Sequence, residues 1–232
     1  MSLIVCYVSV RYYGPANLLW FSNLSVLLLT ASLVTNRSLP ASIVLVGVGV
    51  LEVVWSFDLA LRLLMSGPAM GLTEYVFVPR LSPDEQPRPL WARLVALYHL
   101  LIVPGGLWIV WRLGYDRRAL RWVVIGCGLI GLGCVLALDP SLNVNRVRHF
   151  GPFNEAWLTT PGYFALWIAV LFAFMWWPTH VALSRWGPKM HPTLRIGSRE
   201  ASGHIVRSDA DPHPSRSRSG ELHLRADDPA GH

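Results

Sequence analysis

The chain has 232 residues, 53% of them hydrophobic and only 15% charged, with a mean hydropathy of +0.40. A soluble domain carries about a quarter charged residues, so this composition excludes an ordinary water-soluble enzyme. The net charge is +6, with thirteen arginines against eight acids before residue 187 and seven basic against six acidic residues after it. The arginine excess therefore belongs to the loops between apolar stretches, where it orients a membrane protein and gives no support for nucleic acid binding.

Residues 1–15 are apolar but lack the basic start and the length of a signal peptide, so the first span is expected to act as the insertion signal. About 20 apolar residues suffice to cross a bilayer. Spans are predicted at 16–35, 40–65, 91–113, 119–138 and 161–183. The segment 66–90 is too polar and proline-rich to span and is expected to form an interfacial element followed by an extended loop. A second substantial loop covers 139–160. From residue 187 the chain is rich in Ser, Arg, Asp, His and Pro without periodicity, and is expected to be disordered. The fold class is thus all-α: a polytopic membrane helix bundle of about five transmembrane helices, occupying 16–186, with interfacial loop elements and a disordered tail.

Basic residues near the span ends set the orientation. One side carries Arg37, Arg112, Arg117, Arg118, Arg121, Arg185, Lys189, Arg195 and Arg199. The other carries Arg11, Arg62, Arg80, Arg88, Arg93, Arg146 and Arg148, in longer loops. The denser set is expected on the cytoplasmic face of a bacterial inner membrane, with the N-terminus outside and the C-terminus inside.

Ionisable groups in hydrocarbon cost about 3 kcal/mol each on insertion scales, so those inside spans are candidates for function. At a rise of about 1.5 Å per residue, Asn23 lies roughly 9 Å, Asp58 roughly 10 Å and His99 roughly 12 Å from the outer face. They are expected to converge, with His99 as a general base and Asp58 as its orienter. Asp58 also stands four residues before Arg62 on one helix face, the spacing of a self-neutralising pair. Glu52 has no basic residue one turn away; it must face the interior, be protonated, or find a partner on another helix. His99 is the nearest in depth, though roughly 8–9 Å shallower. Pro104 is expected to free the Leu100 carbonyl and kink the third span. Cys127, Gly131 and Cys134 make one small-residue face for helix packing. In the 139–160 loop, Asn143, Asn145 and Arg146 are binding candidates that would cover the mouth of the site, Arg146 holding a phosphate or carboxylate. No metal-binding or cofactor motif occurs in the sequence.

The string from Gly14 to Ser22, with Tyr115-Asp116-Arg117-Arg118-Ala119-Leu120 and Asp139-Pro140 followed by Asn143 and Asn145, resembles an uncharacterised family of bacterial multi-pass proteins labelled only membrane-associated. The resemblance covers roughly residues 12–186, and its motifs imply no particular activity. Span count and a lone histidine within a span also give a weaker likeness to small integral-membrane acyltransferases and lipid hydrolases. The favoured expectation is a non-catalytic membrane-embedded binding or packing protein, whose partners are membrane lipids and other membrane proteins. A lipid-modifying enzyme using His99 and Asp58, and a proton-linked carrier using Glu52, are the alternatives.

Overall fold

A computed structural model describes residues 1–65, 70–78, 87–139, 142–148 and 160–187. The tail and parts of both long loops lie outside the described residues. Those described form helices, turns and irregular segments, with no strand among them. Helices α1 (Ser2–Val8), α2 (Phe21–Thr35), α3 (Ser38–Met65), α4 (Glu74–Phe77), α5 (Leu90–Leu94), α6 (His99–Leu113), α7 (Ala119–Ala137), α8 (Thr160–Leu171) and α9 (Trp177–Trp186) follow in order. Among the described residues, four helical stretches are long and apolar enough to cross a membrane: Ser38–Met65, Leu90–Leu113, Ala119–Ala137 and Thr160–Trp186. The chain is a multi-pass membrane protein.

The expected first span is shorter than predicted. Its apolar helix, α2, has 15 residues, about 22 Å at 1.5 Å per residue. Residues Pro15–Leu19 form a separate 3-10 turn, and Trp20 adopts an extended conformation that ends it. Residues before that turn do not trail away from the bundle. Helix α1 continues through a π-turn at Ser9–Tyr13 and packs back along α2, bringing the Ser2 hydroxyl to 2.5 Å from that of Thr30. Ser2 therefore lies against Thr30 of α2 rather than beyond the Gly14–Trp20 turn.

Helix α3 is the central element. In its apolar window 56% is buried inside the protein, against 17% for Thr160–Trp186. Small residues let its neighbours close in. A Cβ added to Gly106 of α6 would stand 2.9 Å from Leu45 Cδ2. The expected packing role of the α7 small face is also seen: a Cβ on Gly131 would meet Phe164 at 2.8 Å, and Cys134 is buried against Val144 and Val147.

Hydroxyl groups in this environment turn back on their own helix. Ser25, Thr30, Thr35 and Ser56 each donate to the carbonyl four residues earlier, which hides a polar group where no water is available. Ser32 instead ties the α2–α3 hairpin. Its hydroxyl donates to the Arg37 carbonyl (2.6 Å) and accepts from the Ala41 amide (3.0 Å), while Asn36 takes the left-handed conformation of the turn.

Proline shapes two spans. The third begins as α5, tightens into a 3-10 turn at Val95–Tyr98, and runs on as α6 through Pro104. The irregular turn therefore lies just before the Leu100 carbonyl that Pro104 displaces. In the last span Pro178 cannot donate to Phe174, and a π-turn at Phe172–Trp176 absorbs the misfit. That turn carries Trp176 into the core, fully buried, with its indole N–H donating to the Gly47 carbonyl at 3.1 Å. Replacing Trp176 by Ala is expected to destabilise the bundle by about 3–5 kcal/mol. Trp176→Phe should cost less but still lower the thermal midpoint in detergent, because it deletes the donor to Gly47.

The α6–α7 turn is held by charge. The Asp116 amide donates to Ser42 (3.1 Å), and the Arg118 guanidinium pairs with its carboxylate at 2.7 Å. That side-chain bond holds the Asp116 carboxyl below its ordinary 3.8. A lowered carboxylate contributes stability above the unfolded value and loses it as pH falls through the folded one. The wild-type midpoint is expected to drop below pH 3.8 by more than that of Asp116→Asn in parallel thermal scans.

Candidate functional site

The best-formed polar cluster lies between α2, α3 and α6, beneath the layer that contains α4. Glu52 points inward from the middle of α3 and His99 opens α6; both are buried. Nδ1 of His99 is 2.6 Å from Oε2 of Glu52. At that distance one proton is held between them, as imidazole N–H to carboxylate or as carboxylic acid to imidazole. The other ring nitrogen, Nε2, is 3.3 Å from the Tyr75 hydroxyl of α4. The imidazole faces are covered as well: Trp55 stacks on it at 4.5 Å between centroids and Tyr98 at 4.3 Å. Glu52 and Trp55 are three residues apart on α3, so one helix face supplies both the carboxylate and the stacking ring.

Asn23 joins through Tyr98. The Tyr98 hydroxyl donates to Asn23 Oδ1 at 2.6 Å, and Asn23 Nδ2 donates to the Asn17 carbonyl at 2.6 Å. A continuous polar layer thus runs from the Pro15–Leu19 turn through α2 and α6 to α3 and α4. The side chains of Asn23, Glu52, Tyr98 and His99 each find a protein partner, as hydrocarbon surroundings demand, whereas the Trp55 indole N–H beside them is buried without one.

Asp58 is elsewhere. Its Oδ1 accepts from the Met70 amide (2.6 Å), and its Oδ2 accepts from the Thr73 amide and hydroxyl (both 2.8 Å). Asp58 and Thr73 are both fully buried. Asp58 therefore pins the segment leading into α4 onto the end of α3, and the expected role as His99's orienter is corrected: Glu52 fills that place. Two physical reasons contribute to the difference. The 3-10 turn before His99, 4 residues long, rises about 2.0 Å per residue rather than 1.5, which carries the histidine about 2 Å deeper, a fraction of the expected offset from Glu52. Loop amides, whose positions depth counting ignores, claim the Asp58 oxygens. The expected Asp58–Arg62 pair does not form either; Arg62 packs over the Phe77 ring, 4.4 Å from its centroid.

Of the loop candidates, Asn143 and Asn145 act as structural clamps. Asn145 Oδ1 accepts from the Phe21 amide (2.9 Å), and its Nδ2 donates to the Leu19 carbonyl (2.8 Å). It thus caps the N-terminus of α2 from a distant part of the chain. Asn143 Oδ1 accepts from the Arg148 amide at 3.0 Å. Arg148 donates to the Val135 and Leu138 carbonyls and closes the C-terminus of α7. Arg146 is exposed, and its carbonyl accepts from Tyr163.

Trp55, Tyr75 and Tyr98 are members of the layer that sequence reasoning did not assign to it. The available signals were the Glu52–Trp55 spacing and the adjacency of Tyr98 to His99. His180, beside Tyr115 at 2.7 Å, lies in a separate contact. Among the described residues no group of three or more His, Cys, Asp or Glu gathers as a metal site. No known protein family, curated protein or solved structure matches the chain.

Removing one partner of a buried hydrogen bond leaves the other unsatisfied at a cost of about 1–3 kcal/mol, more for a charged group, and His99→Ala or Glu52→Ala should each cost at least that much. A double-mutant cycle discriminates the partners. Glu52 and His99 are expected to couple by about 0.5–3 kcal/mol, whereas Asp58 and His99 should add within about 0.5 kcal/mol. Equal coupling of both carboxylates to His99 would refute the assignment.

Proposed function

We propose that the chain is a non-catalytic, membrane-embedded binding protein whose polar layer is a structural and proton-holding element. The observation that carries this reading is the enclosure of His99. Both ring nitrogens have partners and both faces carry aromatic rings. A general base needs an open approach to the proton it removes, and here that approach is filled by the protein's own side chains. Acyl transfer would also need a nucleophile, yet no serine, threonine or cysteine hydrogen-bonds His99 among the described residues. An apolar groove between α3, α6 and α9, lined by Gly49, Val53, Val103 and Leu107 among others, contains none of the polar-layer residues.

In this reading the partners are membrane lipids and other membrane proteins, and the resembled bacterial membrane-associated family is the natural relationship. The face bearing Arg37, Arg112, Arg117, Arg118, Arg121 and Arg185 is assigned to the cytoplasm of the inner membrane, leaving the polar layer nearer the outer side. One further reading has a specific observation behind it. A carboxylate near the middle of a span, sharing a proton with a histidine, is the arrangement a proton-linked carrier uses.

Three measurements separate these readings. Alkaline phosphatase fused after Pro89 or Val147 should be active and after Arg117 inactive; the reverse pattern overturns the orientation. Purified protein in nanodiscs should release no fatty acid from phospholipid, and a His99-dependent release would establish the enzyme instead. Proton-driven uptake in liposomes that is abolished by Glu52→Gln would establish the carrier.

A further inference from the structure

Two arginines converge on α4 without a carboxylate to neutralise them. Arg62 lies one turn before the end of α3, its guanidinium carbon 4.4 Å from the centre of the Phe77 ring. Arg93, in α5, donates from Nη1 to the carbonyls of Val76 (3.1 Å) and Phe77 (2.7 Å). Both cations therefore meet at one residue. Neither forms an ion pair among the described residues. Asp58, the acid nearest Arg62 in sequence, is committed to Met70 and Thr73, and Glu74 of α4 is exposed and pairs with neither. Nη1 of Arg62 and Nε of Arg93 are buried without any acceptor. Guanidinium groups so placed favour an oxygen-rich anion, which accepts several N–H bonds at once.

The level in the membrane identifies the anion. Arg62 and Arg93 each sit three residues from the end of a span, about 4.5 Å inward by helical rise. Trp91 and Tyr12 pack edge-on at 5.7 Å at the same level, and such aromatic residues mark the boundary between headgroups and hydrocarbon. Leu63, Leu64, Leu90 and Leu94 flank the arginines and are 65%, 81%, 58% and 45% exposed. Exposed leucines on both sides of the two cations place them against lipid, within reach of a phosphate at the headgroup boundary.

We propose that Arg62 and Arg93 form a binding site for the phosphate of an anionic phospholipid. The site is separate from the Glu52–His99 layer and rests only on the chain being a membrane protein. Two uncompensated positive charges favour a headgroup of net negative charge over a zwitterionic one. A basic residue near an anionic surface contributes roughly 1 kcal/mol, which corresponds to about fivefold in association per arginine.

The test uses the full chain reconstituted in phosphatidylcholine vesicles, with spin-labelled phosphatidylglycerol or spin-labelled phosphatidylcholine as the probe. The motionally restricted fraction reports lipid held by the protein. Wild type is expected to retain phosphatidylglycerol about fivefold or more over phosphatidylcholine, and half-molar NaCl should reduce that preference. Equal retention of the two lipids by wild type overturns the proposal without recourse to any variant. Arg62→Gln combined with Arg93→Gln should abolish the preference, while Arg117→Gln combined with Arg121→Gln at the opposite face should keep it. A preference that survives in the first double variant overturns the assignment to these residues. Millimolar inorganic phosphate should not displace the labelled lipid; displacement would show that the site takes free phosphate and overturn the lipid as its ligand.

Discussion

A polar group inside hydrocarbon has no water to return to, and this single constraint organises the structure. Its most demanding instance is the buried Glu52–His99 contact at 2.6 Å. A carboxylate near the middle of the central span is tolerable only because a histidine on the neighbouring helix is hydrogen-bonded to it. Tyr75, Tyr98 and Trp55 then complete the shell around that histidine. Because the partners come from α3, α4 and α6, the pair also fixes how those elements meet. Apolar contacts between helices in lipid are permissive by comparison, since lipid tails are as apolar as leucine.

The same constraint explains the layer above. Asp58 takes up two loop amides and a hydroxyl, Asn145 caps α2, and Arg148 closes α7. In each case a side chain from one segment satisfies backbone groups exposed by the end or bend of another. These residues have the chemistry that binding sites use, and their burial turns it to holding the chain. At the opposite end local bonds join long-range ones: Ser32 binds within its own hairpin and Asp116 pairs with Arg118, while the Asp116 amide reaches Ser42 and Tyr115 reaches His180.

Pro104 and Pro178 illustrate how a breaker is absorbed. Both remain inside spans; a tightened turn before α6 ends ahead of the Leu100 carbonyl that Pro104 leaves without its donor, and a widened turn leads into Pro178 before α9. The first changes the depth at which His99 enters the bundle, and the second places Trp176 against Gly47. Two local backbone adjustments thus decide which side chains reach the centre.

The sequence alone determined that the chain is a helical membrane protein, and it located the later spans closely. Hydrophobicity over some 20 residues is a property of the segment itself and needs no knowledge of neighbours. It also singled out Asn23, Glu52, Asp58 and His99, since an ionisable or amide group in a span is conspicuous anywhere. Pairing was beyond its reach. Depth counted from the span edges set Asp58 beside His99 and left Glu52 too deep, because the count assumed regular helices and ignored loop amides. The short α2, the return of α1 along it and the clamp by Asn145 were equally hidden. Each rests on contacts between residues far apart in the chain, and only the tertiary structure decides which of several chemically suitable partners stands within hydrogen-bonding distance.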